Sequence, residues 1–178
     1  MNRASKSQKR IDFIDMISET ITHDDIFETI DYKSPGEDKI KQFIYPRLVE
    51  SLTDYIVSQE GKERSVAEET VKKNLKWEGN VNTTVSHILF MGTQNRPDMI
   101  VEMNGLKIAI EFKKGKSGSD LISGIGQSMI YSTHYDFVLY LFIDTSEDKR
   151  IVNAQGGVNE TEFVDLIWDQ YNIKFIVA

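Results

Sequence analysis

The feature that most restricts this chain is a run of alternating residues, Asp98 to Lys113, interrupted once by Asn104-Gly105. A strand over Met99 to Met103 puts Asp98, Ile100 and Glu102 on one face and Met99, Val101 and Met103 on the other. Asn104-Gly105 supplies a two-residue hairpin turn, because both residues tolerate the positive φ it requires. A second strand, Leu106 to Lys113, places Leu106, Ile108, Ile110 and Phe112 on one face and Lys107, Ala109, Glu111 and Lys113 on the other. Glu111 and Lys113 therefore point the same way. Antiparallel pairing brings both close to Asp98 at the open end of the hairpin.

Two carboxylates and an ammonium are an expensive group to gather in a core. Carboxylates a few ångströms apart repel unless a cation sits between them, and all-oxygen ligands suit hard ions such as Mg²⁺ or Mn²⁺. Such an ion polarises a phosphate and lowers the pKa of a bound water, while a neighbouring lysine offsets charge developing on phosphorus. The chemistry that fits is phosphodiester hydrolysis. Any one of these residues taken singly is an ordinary surface residue of a hairpin; their order and spacing carry the reading.

Asp98 preceded by Pro97, followed after twelve residues by Glu111-Phe112-Lys113, resembles the signature of the PD-(D/E)xK superfamily of restriction endonuclease-like nucleases. Gln127-Ser128-Met129-Ile130-Tyr131 resembles the QxxxY motif of that superfamily's exonuclease and repair branch. The resemblance implies that Asp98 and Glu111 hold the metal together with the Phe112 carbonyl, and that Lys113 assists attack. It also implies that Gln127 and Tyr131 lie by the substrate backbone. In many members the first core helix adds a glutamate, for which Glu37 is the candidate here; a helix N-terminus favours an acid there in any case. The implied fold is α/β, a restriction endonuclease-like core in which a mixed β-sheet is flanked by α-helices. The resemblance covers about three fifths of the chain, as the core from Gly36 to Ile143.

With 178 residues and 40% hydrophobic content, one domain with a real core is expected, comprising an N-terminal helical extension (1–35), the core (36–143) and a C-terminal helix with an edge strand (144–178). No cysteine is present, which excludes disulfides and thiolate metal sites and is compatible with an intracellular, cytoplasmic setting. No apolar run approaches membrane-spanning length, so a soluble protein without a membrane partner is expected. A net charge of −7 suits nucleic acid poorly unless the basic residues are patterned. Arg96, Lys107, Lys113, Lys114 and Lys116 do cluster around the proposed site, and Arg96, Lys114 and Lys116 are candidates for substrate phosphates. The expected partner is nucleic acid, DNA above RNA, and a homodimer stays open. The alternative function is a catalytically inactive nucleic-acid-binding or assembly protein on the same fold.

Ile11, Ile14, Ile17 and Ile21 recur at helical spacing, and Ser34-Pro35-Gly36 signals the start of a long helix. Its stripe is Ile40, Phe43, Ile44, Leu48, Leu52, Tyr55 and Ile56, with Pro46 expected to kink or break it. Gly61 to Lys76 reads as a solvated helix anchored by Trp77, and Val81 to Phe90 as the first strand of the core sheet, with Met91 to Asn95 as a loop. Gly115-Lys116-Ser117-Gly118 is a turn rather than a phosphate loop, because Ile110 stands where the Walker pattern needs glycine. A helix over Ser119 to His134 follows, in which Gly124 and Gly126 are expected to admit another backbone. Phe137 to Ile143, apolar on both faces, predicts a central buried strand. Glu160 to Tyr171 predicts a last helix, and Ile173 to Val177 an edge strand.

Overall fold

Residues 4–23, 26, 36–78 and 85–178 are described by the computed structural model. By their internal contacts they form two compact units, Ser5–Thr84 and Val85–Ala178, the second including Ala4.

The first unit is built from helices α1 (Gln8–Thr22), α2 (Glu37–Glu60) and α3 (Arg64–Asn74), followed by the short strand β1 (Leu75–Trp77). The helical spacing in α1 buries Phe13, Ile14, Ile17 and Ile21, and the Phe13 ring lies 4.9 Å from that of Tyr55 on α2. Ile11 is only half-buried. Helix α2 runs unbroken through Pro46, against expectation. Proline removes one backbone bond, but Ile40, Ile44, Leu48, Leu52 and Ile56 bury a continuous stripe that holds the helix together across it. Phe43, expected on that stripe, is 41% exposed and carries the Arg47 guanidinium 5.7 Å from its ring centroid. The helix stops at Gly61, whose φ of +64° gives the left-handed cap and lets its N–H bond the Val57 carbonyl. In α3 only Ala67 and Val71 are buried, as a solvated helix requires, and Trp77 does anchor its end, 5.3 Å from the Tyr45 ring. The strand β1 has no counterpart in the sequence reading. Ser34 and Pro35 lie outside the described residues.

The second unit opens with a two-stranded ribbon, β2 (Ile88–Phe90) and β3 (Thr93–Asn95), in the register Ile88↔Asn95, Leu89↔Gln94 and Phe90↔Thr93. This corrects the expected strand over Val81 to Phe90 and the loop over Met91 to Asn95. Met91 and Gly92 both have positive φ and close a two-residue turn, so Ile88–Phe90 finds its partner locally and stays out of the core sheet. Residues 79–84 lie outside the described set.

The core sheet of this unit holds β4 (Met99–Met103), β5 (Leu106–Gly115), β6 (Phe137–Asp144) and β7 (Ile173–Val177) side by side in that order. Asn104 and Gly105 turn with φ of +56° and +68°, and β4 pairs antiparallel with β5 from Met99↔Ile110 to Met103↔Leu106. β5 then pairs parallel with β6, and β6 parallel with β7, which makes the sheet mixed. Every residue of β6 is buried, as its two apolar faces predict. Helices α4 (Gly118–Tyr131), α5 (Arg150–Ala154) and α6 (Val158–Tyr171) connect the parallel strands and pack on the sheet, giving a mixed α/β unit. Ser117 and Asp120 cap α4 reciprocally. Gly124 faces the Tyr140 phenol, so the glycine admits a side chain and not the backbone expected, while Gly126 borders open space. No helix among the described residues is long and apolar enough to cross a membrane.

Asp144, at the end of β6, is fully buried and accepts four hydrogen bonds. Ser146 N–H (2.9 Å) and Oγ–H (2.6 Å) reach one oxygen; the Ile151 (3.0 Å) and Val152 (3.2 Å) N–H groups reach the other. Burial alone would raise its pKa, but these donors outweigh it and hold the carboxyl below its usual range. A depressed folded pKa means the stabilisation is fully present above the unfolded value of about 3.9 and is lost as pH falls through the folded one. Asp144→Asn is expected to cost about 2–3 kcal/mol at pH 7, and the gap to wild type to narrow below about pH 4. Chemical denaturation of both proteins across pH 2.5–7, as an order-of-magnitude window around that pKa, checks it; a gap independent of pH would refute the assignment.

Candidate metal and phosphodiester site

Continuing the β4–β5 register one step past Met99↔Ile110 sets Asp98 opposite Glu111. Opposed residues of an antiparallel pair point to the same face, so this face carries Asp98/Glu111 at the open end, Ile100/Ala109 in the middle and Glu102/Lys107 at the turn. The last pair is seen directly, as a salt bridge of 3.0 Å from Lys107 Nζ to Glu102 Oε1. At the other end the Phe112 N–H donates to Asp98 Oδ2 at 2.8 Å and fixes the carboxylate. In an extended strand a residue's N–H and C=O leave on the same edge. The Phe112 carbonyl is therefore directed to the Asp98 side, where the resemblance wants it. Glu111 is 5% exposed, while Asp98 is half-buried.

Tyr131, on α4, connects the pair to the loop before it. Its ring is fully buried in the core cluster with Ile88, Ala109 and Tyr140, and its hydroxyl donates to the Arg96 carbonyl at 2.9 Å. Burial pushes the phenol pKa far up, and the nearby charges of Glu111 and Asp98 push it further. The phenol is thus a neutral donor at every working pH. Expected beside the substrate, Tyr131 instead lies beneath the carboxylates and holds the Arg96-Pro97-Asp98 segment in place. Tyr131→Phe removes the part-buried bond to the Arg96 carbonyl and is expected to lower stability by about 1–2 kcal/mol. Thermal melts of the variant test this, and an unchanged melting temperature would contradict it.

Gln127 stands one turn before Tyr131, half-buried, and its Oε1 has no hydrogen-bond partner among the described residues. A buried amide oxygen of this kind marks a position that a water or a substrate donor completes. The Ser128 Oγ is buried and unpartnered in the same sense, and no sequence signal marks it. Lys113 is half-buried, and its charge helps to hold the Asp120 carboxyl low, behind the larger effect of the Ser117 hydroxyl. Lys114 is half-buried and Lys116 exposed; the Lys116 N–H donates to Asp120 Oδ2 at 3.1 Å and its carbonyl accepts from Arg150 at 2.8 Å. Glu37 belongs to the first unit, where it is the first residue of α2. His87 and His134 are exposed, and the His134 ring nitrogen Nδ1 lies 2.7 Å from the Thr133 hydroxyl.

No protein-family model matches this chain, and searches of curated proteins and of solved structures return no match either. The site therefore rests on its own chemistry.

Among the described residues no group of three or more His, Cys, Asp or Glu side chains gathers. What the hairpin offers is a smaller all-oxygen set: the Asp98 and Glu111 carboxylates and the Phe112 carbonyl. That set fits Mg²⁺ or Mn²⁺, which keep several waters and use one or two carboxylates together with substrate phosphate oxygens. It suits zinc poorly, since structural zinc sites use four and catalytic ones three protein ligands, mostly His or Cys.

Proposed function

We propose that this chain is a divalent-metal-dependent nuclease that hydrolyses phosphodiester bonds of DNA on a restriction endonuclease-like core. The observation that carries this reading is the pairing of Asp98 with Glu111 at the open end of β4–β5, with Asp98 pinned by the Phe112 N–H and Tyr131 beneath both. Nature rarely buries a carboxylate against a second one without use for it. Mg²⁺ or Mn²⁺, when bound, supplies Lewis-acid polarisation of the phosphate and a more acidic water.

The chain's own residues do the rest. Asp98 and Glu111 present their oxygens from a rigid hairpin. Lys113, following Glu111 on the same face, offsets negative charge at the phosphorus. Gln127 has an amide free to fix the register of a strand, and Arg96, Lys114 and Lys116 supply phosphate contacts in a chain that is acidic overall.

Linear, circular, single-stranded and branched DNA incubated in parallel with Mg²⁺ or Mn²⁺, and with EDTA, tests this. Cleavage in the metal lanes and none in EDTA is expected. Binding without cutting in any lane would favour the inactive, nucleic-acid-binding alternative.

A further inference from the structure

The β2–β3 ribbon has a tip that neither burial nor backbone preference explains. Leu89 is 73% exposed, Phe90 52% and Met91 88%, three consecutive apolar residues in water. Such a run is avoided on a soluble surface unless something binds it. Met91 also holds φ of +50° in a two-residue turn, a position that asparagine, aspartate or glycine fills at less cost. Two independent preferences are overridden at one residue.

The root of the ribbon is as firmly held as its tip is bare. Ile88 is 5% exposed and packs in the core cluster with Tyr131. At the other strand end, Asn95 leads into Arg96, whose carbonyl Tyr131 holds, then into buried Pro97 and into Asp98, held by Phe112. Thr93 Oγ donates to the Phe90 carbonyl at 2.6 Å and stiffens the turn. The ribbon is thus a short rigid arm mounted on the residues of the proposed site. The ribbon itself is uncharged and sets no like charge against a polyanion: from Val85 to Pro97 there is no acidic residue, in a chain with 28 of them, and Arg96 stands at its base.

We propose that Leu89, Phe90 and Met91 form a wedge that stacks on unpaired nucleobases, so that the preferred substrate is a strand end or a junction where bases are already open or are opened by the tip. This rests on the nuclease reading and names its substrate class. Aromatic and aliphatic side chains bind bases without sequence preference through their faces, and apolar wedges unstack base steps. A duplex end held on this arm has its phosphates led toward Asp98 and Glu111 while its terminal bases are parted.

The test compares wild type with Leu89→Ser/Phe90→Ser/Met91→Ser, a surface change whose melting curve confirms folding. Both are titrated, in EDTA, against DNA with 2-aminopurine at the terminal pair of a blunt duplex, at the end of a duplex with unpaired bases, and in a single strand, and cutting of the same three DNAs is then read with Mg²⁺ in place of EDTA. Wild type is expected to raise the fluorescence of the blunt end and to bind the unpaired end more tightly. The variant should lose the fluorescence rise and bind open ends roughly tenfold or more weakly, as losing one stacked base entails. Wild type that binds and cuts DNA with a variant of identical substrate profile overturns the wedge and leaves the nuclease reading standing. Wild type that neither binds nor cuts any of the three ends both. A variant altered only in sedimentation, with DNA affinity unchanged, overturns the wedge in favour of an interface between copies.

Discussion

Asp98→Asn and Glu111→Gln are each expected to reduce metal-supported cleavage to below roughly a thousandth of the wild-type rate, an effect of the size seen when one preorganised charge-stabilising group is removed. The amides isolate charge from shape. Asp98→Asn keeps an oxygen that can accept from the Phe112 N–H, so the end of the hairpin stays tied. Glu111→Gln keeps the volume of a side chain that is 5% exposed, while removing one of two facing negative charges. Melting temperatures without metal should therefore hold or rise, even as activity disappears. Wild type should gain about 2.7 kcal/mol of stability at a metal concentration a hundred times its Kd, and the two variants should gain much less. Variants that cut at the wild-type rate, or melt with the same metal-induced gain, would remove the pair from the site.

Lys113→Met is expected to lower single-turnover cleavage roughly a hundredfold while leaving metal affinity near wild type. The alternation of β5 puts Lys113 on the face of Glu111, and its half-buried stem keeps methionine a reasonable replacement for everything but charge. Because Asp98 and Glu111 are unchanged, calorimetric Mn²⁺ binding should persist. Loss of metal binding together with activity would show that Lys113 supports the carboxylates instead of the reacting phosphate. Some weakening of the α4 cap accompanies either outcome, since the Lys113 charge also reaches Asp120.

The hairpin and the facing of Asp98 and Glu111 were legible in the sequence because every cue involved is local: a period of two, a turn dipeptide and a count of residues from the turn. The central strand Phe137–Asp144 and the edge strand Ile173–Val177 were legible for a similar reason, from apolar content on both faces or from position after a helix. Depth was not. Helical spacing correctly put Gln127 and Tyr131 on one side of α4, but an angle around a helix does not say how far in a ring reaches, and Tyr131 lies at the bottom of the site. Phe43 shows the same gap in the opposite direction, on the expected stripe yet 41% exposed. The residues before Asp98 were misread because Val81 to Phe90 is rich in β-branched residues, whereas the partner of Ile88–Phe90 is chosen by Met91-Gly92, a turn with an unusual first residue. Leu75–Trp77 is three residues long and follows a charged helix, too short for any period to register.

The Asn104-Gly105 turn bears on how the protein folds. Asp98 and Glu111 are joined through a hairpin whose pairing spans few residues, so closing it is fast, on the order of microseconds. The parallel ladders from Ile108↔Phe137 and Val138↔Ile173 must wait for their intervening helices and close much longer loops. The two acids thus meet while most of the sheet is still open. Their mutual repulsion is therefore expected to be felt early on the folding path. If the proposed metal site is real, a divalent cation in the folding medium is expected to speed that early step as well as to stabilise the finished protein.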